Sequence, residues 1–120
     1  MADIHSVAER FFCASERQRL RQADVKALCA GFFTCWVRKE AYIKALGTGL
    51  STPLDRFSVT LLADESPAIL EIDGSRNEAS DWELRHLEPA PGYVGAIAIE
   101  GCSIGVSGWI SVSVELLESS

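Results

Sequence analysis

Residues 35–50 read CWVRKEAYIKALGTGL. Phe33, Trp36, Val37, Glu40, Ile43, Lys44 and Gly47 recur at i, i+3, i+4, i+7, i+10, i+11 and i+14, the pattern of one face of an α-helix. Phe33, Trp36 and Val37 are expected to face a core, and Glu40 continues their line. An ionised carboxylate buried without a partner costs several kcal/mol even after relaxation, so positive charge is expected to meet it. Two readings satisfy that requirement. In one, Lys44 lies a turn further along and forms an i,i+4 surface pair with Glu40, worth a few tenths of a kcal/mol. In the other, Glu40 holds a divalent metal through oxygen and Lys44 neutralises a phosphate on that metal, the way Mg²⁺ is bound by one or two carboxylates, substrate phosphates and water. Arg38 and Lys39 add cations beside the pair. Three basic side chains around one acid at a helix-to-loop junction suit a polyanionic ligand better than a packing surface.

The elements that would carry these residues are helical in the first half of the chain. Ser6 with Glu9 three residues on is a capping-box pattern, and Val7, Ala8, Phe11 and Phe12 form an apolar stripe at helical spacing. Ser15 can restart a short helix through ERQRLRQ, where Arg17, Arg19 and Arg21 concentrate positive charge. That charge reads either as a solvated helix face or as a landing strip for an acidic partner. From Asp24 a longer helical pattern runs to Gly47, whose tolerance of the left-handed conformation marks a helix stop. Gly31 within it marks a helix start or a tight contact. GTGLSTPLD is a loop by composition. Strands follow over Arg56–Leu62, Ala68–Ile72 and WELRHL from Trp82, where Trp82, Leu84 and His86 share a face. GAIAIEG and IGVSGWISVSVELL complete the set. The polar run Asp73–Asp81 reads as turn, and EPAPGYV, with two prolines and a glycine, breaks the chain before the GAIAIEG strand. Helices first and strands afterwards predict an α+β fold, N-terminal helices packed on an antiparallel sheet.

The bulk properties bound the function. With 120 residues the chain is expected to form a single domain over 1–120. A net charge of −6 argues against a nucleic-acid partner. No apolar run reaches the length of a membrane span, and MADIHSVAERFF lacks the basic head and apolar run of a signal peptide, so a cytoplasmic location is expected. Cys13, Cys29, Cys35 and Cys102 fit no zinc or CxxC spacing and read as buried reduced thiols. The two histidines allow a Cys–His pair on paper, without local support.

The run FFTCWVRKEAYIKALGTGLSTPLDRFSV resembles the signature W-x-x-K-E-A-x-x-K-A-x-G-x-G-L of the 4′-phosphopantetheinyl transferases, particularly the larger, surfactin-synthetase-activating type. VAERFF, PLDRFSV and WELRHLEPAPGYVGAIAIEG are similar to its flanking helix, sheet entry and strand–PGY–strand pair, so the resemblance covers roughly His5 to Gly101. It implies transfer of the phosphopantetheine arm of coenzyme A to a serine of an acyl or peptidyl carrier protein, with 3′,5′-ADP leaving. It further implies Mg²⁺ on the pyrophosphate, held by three acidic groups of which Glu40 is one. Lys44 is implied to contact phosphate and help set up the serine. Lys39 matches the lysine of the KEA triplet and is taken with Lys44 as cofactor-binding.

The departures are as specific as the match. The larger type has two pseudo-symmetric halves, and the G-x-D-x-E segment supplying the other two metal ligands precedes its AERFF helix. Here His5 stands where that glutamate would be, and Asp3 reads better as a helix N-cap. The chain is therefore expected to correspond to the C-terminal half of a larger-type enzyme, with two functions open. One is a transferase completed by a complementary N-terminal half or by a homodimer. The other is a non-catalytic half-domain that assembles or binds carrier protein.

Overall fold

The computed structural model describes residues 4–47, 52–101 and the backbone of 110–116. Asp3, Thr48–Leu50 of the signature's tail and Cys102 lie outside the described residues. Helix α1 (Ile4–Phe11) already runs at Ile4, so Ser6 and Glu9 lie inside it rather than capping it. The capping role passes to the next break. There Glu16, the third residue of α2 (Ala14–Gln22), accepts a hydrogen bond from the Cys13 amide at 3.0 Å.

Helix α3 (Val25–Leu46) is the longest element. Asp24 caps its start, Oδ1 accepting from the Ala27 amide at 2.8 Å. Gly47 ends it at φ 73°, its N–H donating to the Ile43 and Lys44 carbonyls. Of the two readings of Gly31, the tight contact holds: a Cβ there would lie 3.2 Å from Leu61 Cδ1 and 3.3 Å from Leu20 Cδ2. The glycine lets α2 and the loop after the first strand close onto the helix.

Among the described residues, five strands form two antiparallel sheets rather than one. β1 (Phe57–Val59) pairs with β2 (Ile69–Ile72) across a bulge between Ser58 and Val59. The strand expected over Arg56–Leu62 is thus shorter. A 3₁₀ turn at Leu54–Arg56 precedes it, and the Leu61 and Leu62 amides turn away to donate to Glu65 Oε1. The polar run after β2 contains one turn of helix, α4 (Arg76–Ala79), capped by Ser75. β3 (Trp82–Leu87), β4 (Tyr93–Glu100) and β5 (Ile110–Leu116) form the second sheet, in that order. EPAPG makes the β3–β4 hairpin, with Leu87 opposite Gly95.

Helix α3 packs over β4 and β5, and Val94, Ala96 and Ala98 are buried on one side of β4. Their period of two is that of a strand with one covered face, and the alanines permit close approach of the helix. α1 and α2 cover another side of α3 through an aromatic cluster. Phe12 lies 5.4 Å from Phe32 between ring centroids, and Phe11 meets Trp36 edge-on at 6.0 Å. Because α3 is covered on several sides, its buried face is wider than one stripe and includes Gly31, Cys35, Arg38, Lys39 and Tyr42. The expected core line is offset as a result. Val37 is buried, whereas Phe33 and Trp36 are half-buried at the margin of the core.

Candidate active site

One turn of α3 separates Glu40, half-buried, from Lys44, exposed, and both line the same cavity of about 490 Å³. Its walls are apolar: Phe11 from α1, Trp36 and Ile43 from α3, and Pro53 and Leu54 beside Thr52 from the segment entering β1. Glu40 therefore sits at a cavity wall with solvent access, and its charge is less costly there than the expected core position implied. A carboxylate and an ammonium at the mouth of an apolar pocket can take a ligand with an anionic end and an uncharged body.

The structure separates Arg38 and Lys39 from that pair. Arg38 is buried on another side of α3. Its Nη1 donates to the Thr60 carbonyl at 2.6 Å and to Thr60 Oγ1 at 3.1 Å, and its Nη2 lies 3.2 Å from His86 Nδ1. A guanidinium only donates, so Nδ1 accepts, and Nε2 carries the proton that reaches Glu88 Oε2 at 3.0 Å. Burial lowers the Arg38 pKa, with Cys35 and Glu65 nearby opposing the shift.

Lys39 is the second correction. Expected as a cofactor ligand, it has no exposed side-chain surface. It pairs at 2.9 Å with Glu16 Oε1, which is equally buried. Its ammonium also donates to the carbonyls of Leu54 and Phe57. Glu16 in turn accepts from the Cys13 amide and, through Oε2, from the Val59 amide at 2.7 Å. One residue along a helix turns the direction by about 100°, so adjacent residues of the KEA triplet serve different regions. Lys39 enters the core while Glu40 faces the cavity. The misplaced charge in the core is thus Lys39, and Glu16 is what meets it. Breaking such a pair by removing one partner costs about 3–5 kcal/mol. Burial, and then the Glu16 charge, raise the pKa of the neighbouring Cys35 thiol well above its ordinary value, so Cys35 is no thiolate nucleophile.

Glu16 was missed in the sequence because it lies in a charged segment, and neither periodicity nor motif sets it apart from the arginines around it. Those arginines divide. Arg19 pairs with Glu65 at 2.9 Å, and Arg17 donates to the Glu9 carbonyl, so the segment is not a uniform basic strip.

Comparison with known proteins joins this geometry to a family. A sequence model described as the 4′-phosphopantetheinyl transferase superfamily matches residues 2–98. The chain belongs to that superfamily. It is 35% identical over 100 residues to the 4′-phosphopantetheinyl transferase HetI of Nostoc sp. (strain PCC 7120), covering 83% of this chain and 39% of that protein. It is 37% identical over 91 residues to the 4′-phosphopantetheinyl transferase Sfp of Bacillus subtilis (strain 168), covering 76% of this chain and 39% of that protein. The chain thus spans about two fifths of the length of these relatives, members of an enzyme family. No solved structure matches significantly.

The donor set bears on the expected metal. Among the described residues Glu40 is the one carboxylate lining the cavity, and no group of three His, Cys, Asp or Glu side chains is placed to hold a metal ion. Glu40 fits as one ligand of an Mg²⁺ completed by phosphate oxygens and water, not as part of an all-protein cage. Among the described residues no helix is long and apolar enough to cross a membrane.

Proposed function

We propose that this chain supplies the Glu40–Lys44 side of a site that transfers the 4′-phosphopantetheine arm of coenzyme A to a serine of an acyl or peptidyl carrier protein. The observation that carries the reading is that these two residues, matched to the family signature, open onto one apolar cavity. Lys44 donates to phosphate oxygen and offsets charge as the leaving 3′,5′-ADP separates. Glu40 would be the residue of this chain that holds Mg²⁺. The metal, when bound, neutralises charge on the phosphate oxygens, and phosphoryl transfer depends on that and on positioning more than on covalent help. The apolar wall of Trp36, Ile43 and Leu54 suits the uncharged pantetheine arm and excludes water from it.

The free thiols Cys13, Cys29 and Cys35 suit a reducing, cytoplasmic setting. One carboxylate is a weak site for Mg²⁺ alone, so activity calls for ligands from a complementary N-terminal half or a second copy. That same single-carboxylate donor set supports a second reading, a half-domain that assembles or binds carrier protein without chemistry. The two part in a coenzyme A transfer assay on a carrier protein, run with and without an added N-terminal half from a larger-type enzyme. The transferase reading predicts weak or absent labelling by the chain alone and Mg²⁺-dependent labelling once the half is supplied. Failure of the added half to restore labelling, in a complex shown to form, supports the assembly reading.

A further inference from the structure

We propose that Lys39 is a positioning residue for the Glu40–Lys44 site, acting through Glu16. This rests on the cavity being the coenzyme A site, and its test separates the two ideas.

A lysine ammonium has three donors. Here they meet the Glu16 carboxylate, the Leu54 carbonyl and the Phe57 carbonyl. None is left for a ligand, and the side chain has no exposed surface to offer one. Leu54 is itself a wall of the cavity, opposite the helix that carries Glu40. Glu16 extends the tie, fixing the Cys13 amide at the start of α2 and the Val59 amide in β1. The Lys39 ammonium lies 4.2 Å from the centre of the Phe57 ring, a further contact to the same segment. One buried ion pair therefore sets the gap between α3 and the 52–57 segment, which is the width of the cavity. Lys39 governs the ligand's space without touching the ligand. An outer partner that orients a site in this way typically changes affinity or activity by about 10–100-fold when lost.

The test compares Lys39→Met, Glu16→Gln and the double variant with the parent chain, each assembled with the added N-terminal half, by coenzyme A titration calorimetry in Mg²⁺ and by amide hydrogen exchange over 54–59. Both single variants are expected to weaken coenzyme A binding by about tenfold or more, the double variant hardly further, and exchange at Val59 is expected to quicken in each. Glu16 has no route to the ligand, so parental affinity in folded Glu16→Gln beside a large loss in Lys39→Met would overturn the proposal. Unchanged exchange in both would overturn it equally. A parent that does not bind coenzyme A fails the cavity assignment, while the exchange result still decides whether Lys39 and Glu16 hold the segment.

Should the variants not fold, acetylation of the unaltered chain decides. The sequence has three lysines, Lys26, Lys39 and Lys44. Lys39 is expected to stay unmodified by acetic anhydride with or without coenzyme A, Lys26 to react in both cases, and Lys44 to react without coenzyme A and be protected by it. Reaction of Lys39 at the rate of Lys44, with protection by coenzyme A, would show direct contact and sink the idea.

Discussion

Adjacent cations on α3 meet different fates because a helix turns each one toward a different environment. Lys44 reaches a cavity, Lys39 enters the core, and Arg38 is spent on Thr60 and His86. The motif residues were legible in the sequence, but their directions were not. Glu40 and Lys44 at i,i+4 could be placed together from spacing alone. The Lys39–Glu16 contact joins positions far apart in the chain, and only folding brings them together. Glu65 is a second carboxylate that the sequence does not single out. Partial burial pushes its pKa up, but hydrogen bonds from the Leu62 and Leu61 amides and the Arg19 guanidinium prevail and hold it below the ordinary 4.5. A depressed carboxylate pKa adds stability above the unfolded-state value, and that stability is lost as pH falls through the folded value. Glu65→Gln is therefore expected to lower stability at pH 7 and to flatten the loss of stability below about pH 4.5, read from urea midpoints across pH. An unchanged acid limb would remove Glu65 from this role.

At the scale of elements, local chemistry was a good guide where a single residue sets a boundary. Gly47 ends α3, the EPAPG run makes the turn of the β3–β4 hairpin, and alternation holds over 82–85 and 96–99, although β4 begins two residues earlier than expected, at Tyr93. It was a poor guide where tertiary contacts choose. α1 begins before the Ser6–Glu9 pattern, and Glu16 rather than Glu9 completes a capping box. Pairing with the β2 side ends after Thr60, whose amide still reaches the Ala68 carbonyl, because Glu65 captures the Leu61 and Leu62 amides. The breadth of the α3 interface also moved the core face away from Phe33 and Trp36. Gly47 carries a direct prediction. At φ 73° an alanine is strained, with no contact within 4 Å to compensate, so Gly47→Ala should lower unfolding free energy by about 1 kcal/mol. Denaturant titration with an unchanged m-value checks it, and a stabilised variant would contradict the left-handed cap.

At the scale of the whole molecule, the second sheet is covered by α3 on one side. On the other side of β4 lie Tyr93, 41% exposed, and the half-buried Ile97 and Ile99, which the register sets opposite Leu116, Val112 and Ile110. Apolar surface of this kind commonly marks an interface. A homodimer is the expected assembly for the chain on its own, its contact including this sheet, with the same patch used by both copies. Sedimentation should show a concentration-dependent dimer that Ile97→Lys weakens; a clean monomer at high micromolar concentration would contradict it. The α+β class, with helices on antiparallel strands, was legible from the order of patterns, whereas the split into two sheets was not, because periodicity marks a strand without saying which strand it pairs with. The central claim is that Glu40 serves transfer chemistry and is not merely half of a surface pair. It is tested most directly by Mg²⁺-dependent labelling of a carrier protein by the reconstituted assembly, comparing Glu40→Gln with the parent. The substitution keeps shape and removes the charge, so the account predicts a fall in rate of about 10²-fold or more with the fold intact. Labelling by Glu40→Gln at the parental rate would contradict it.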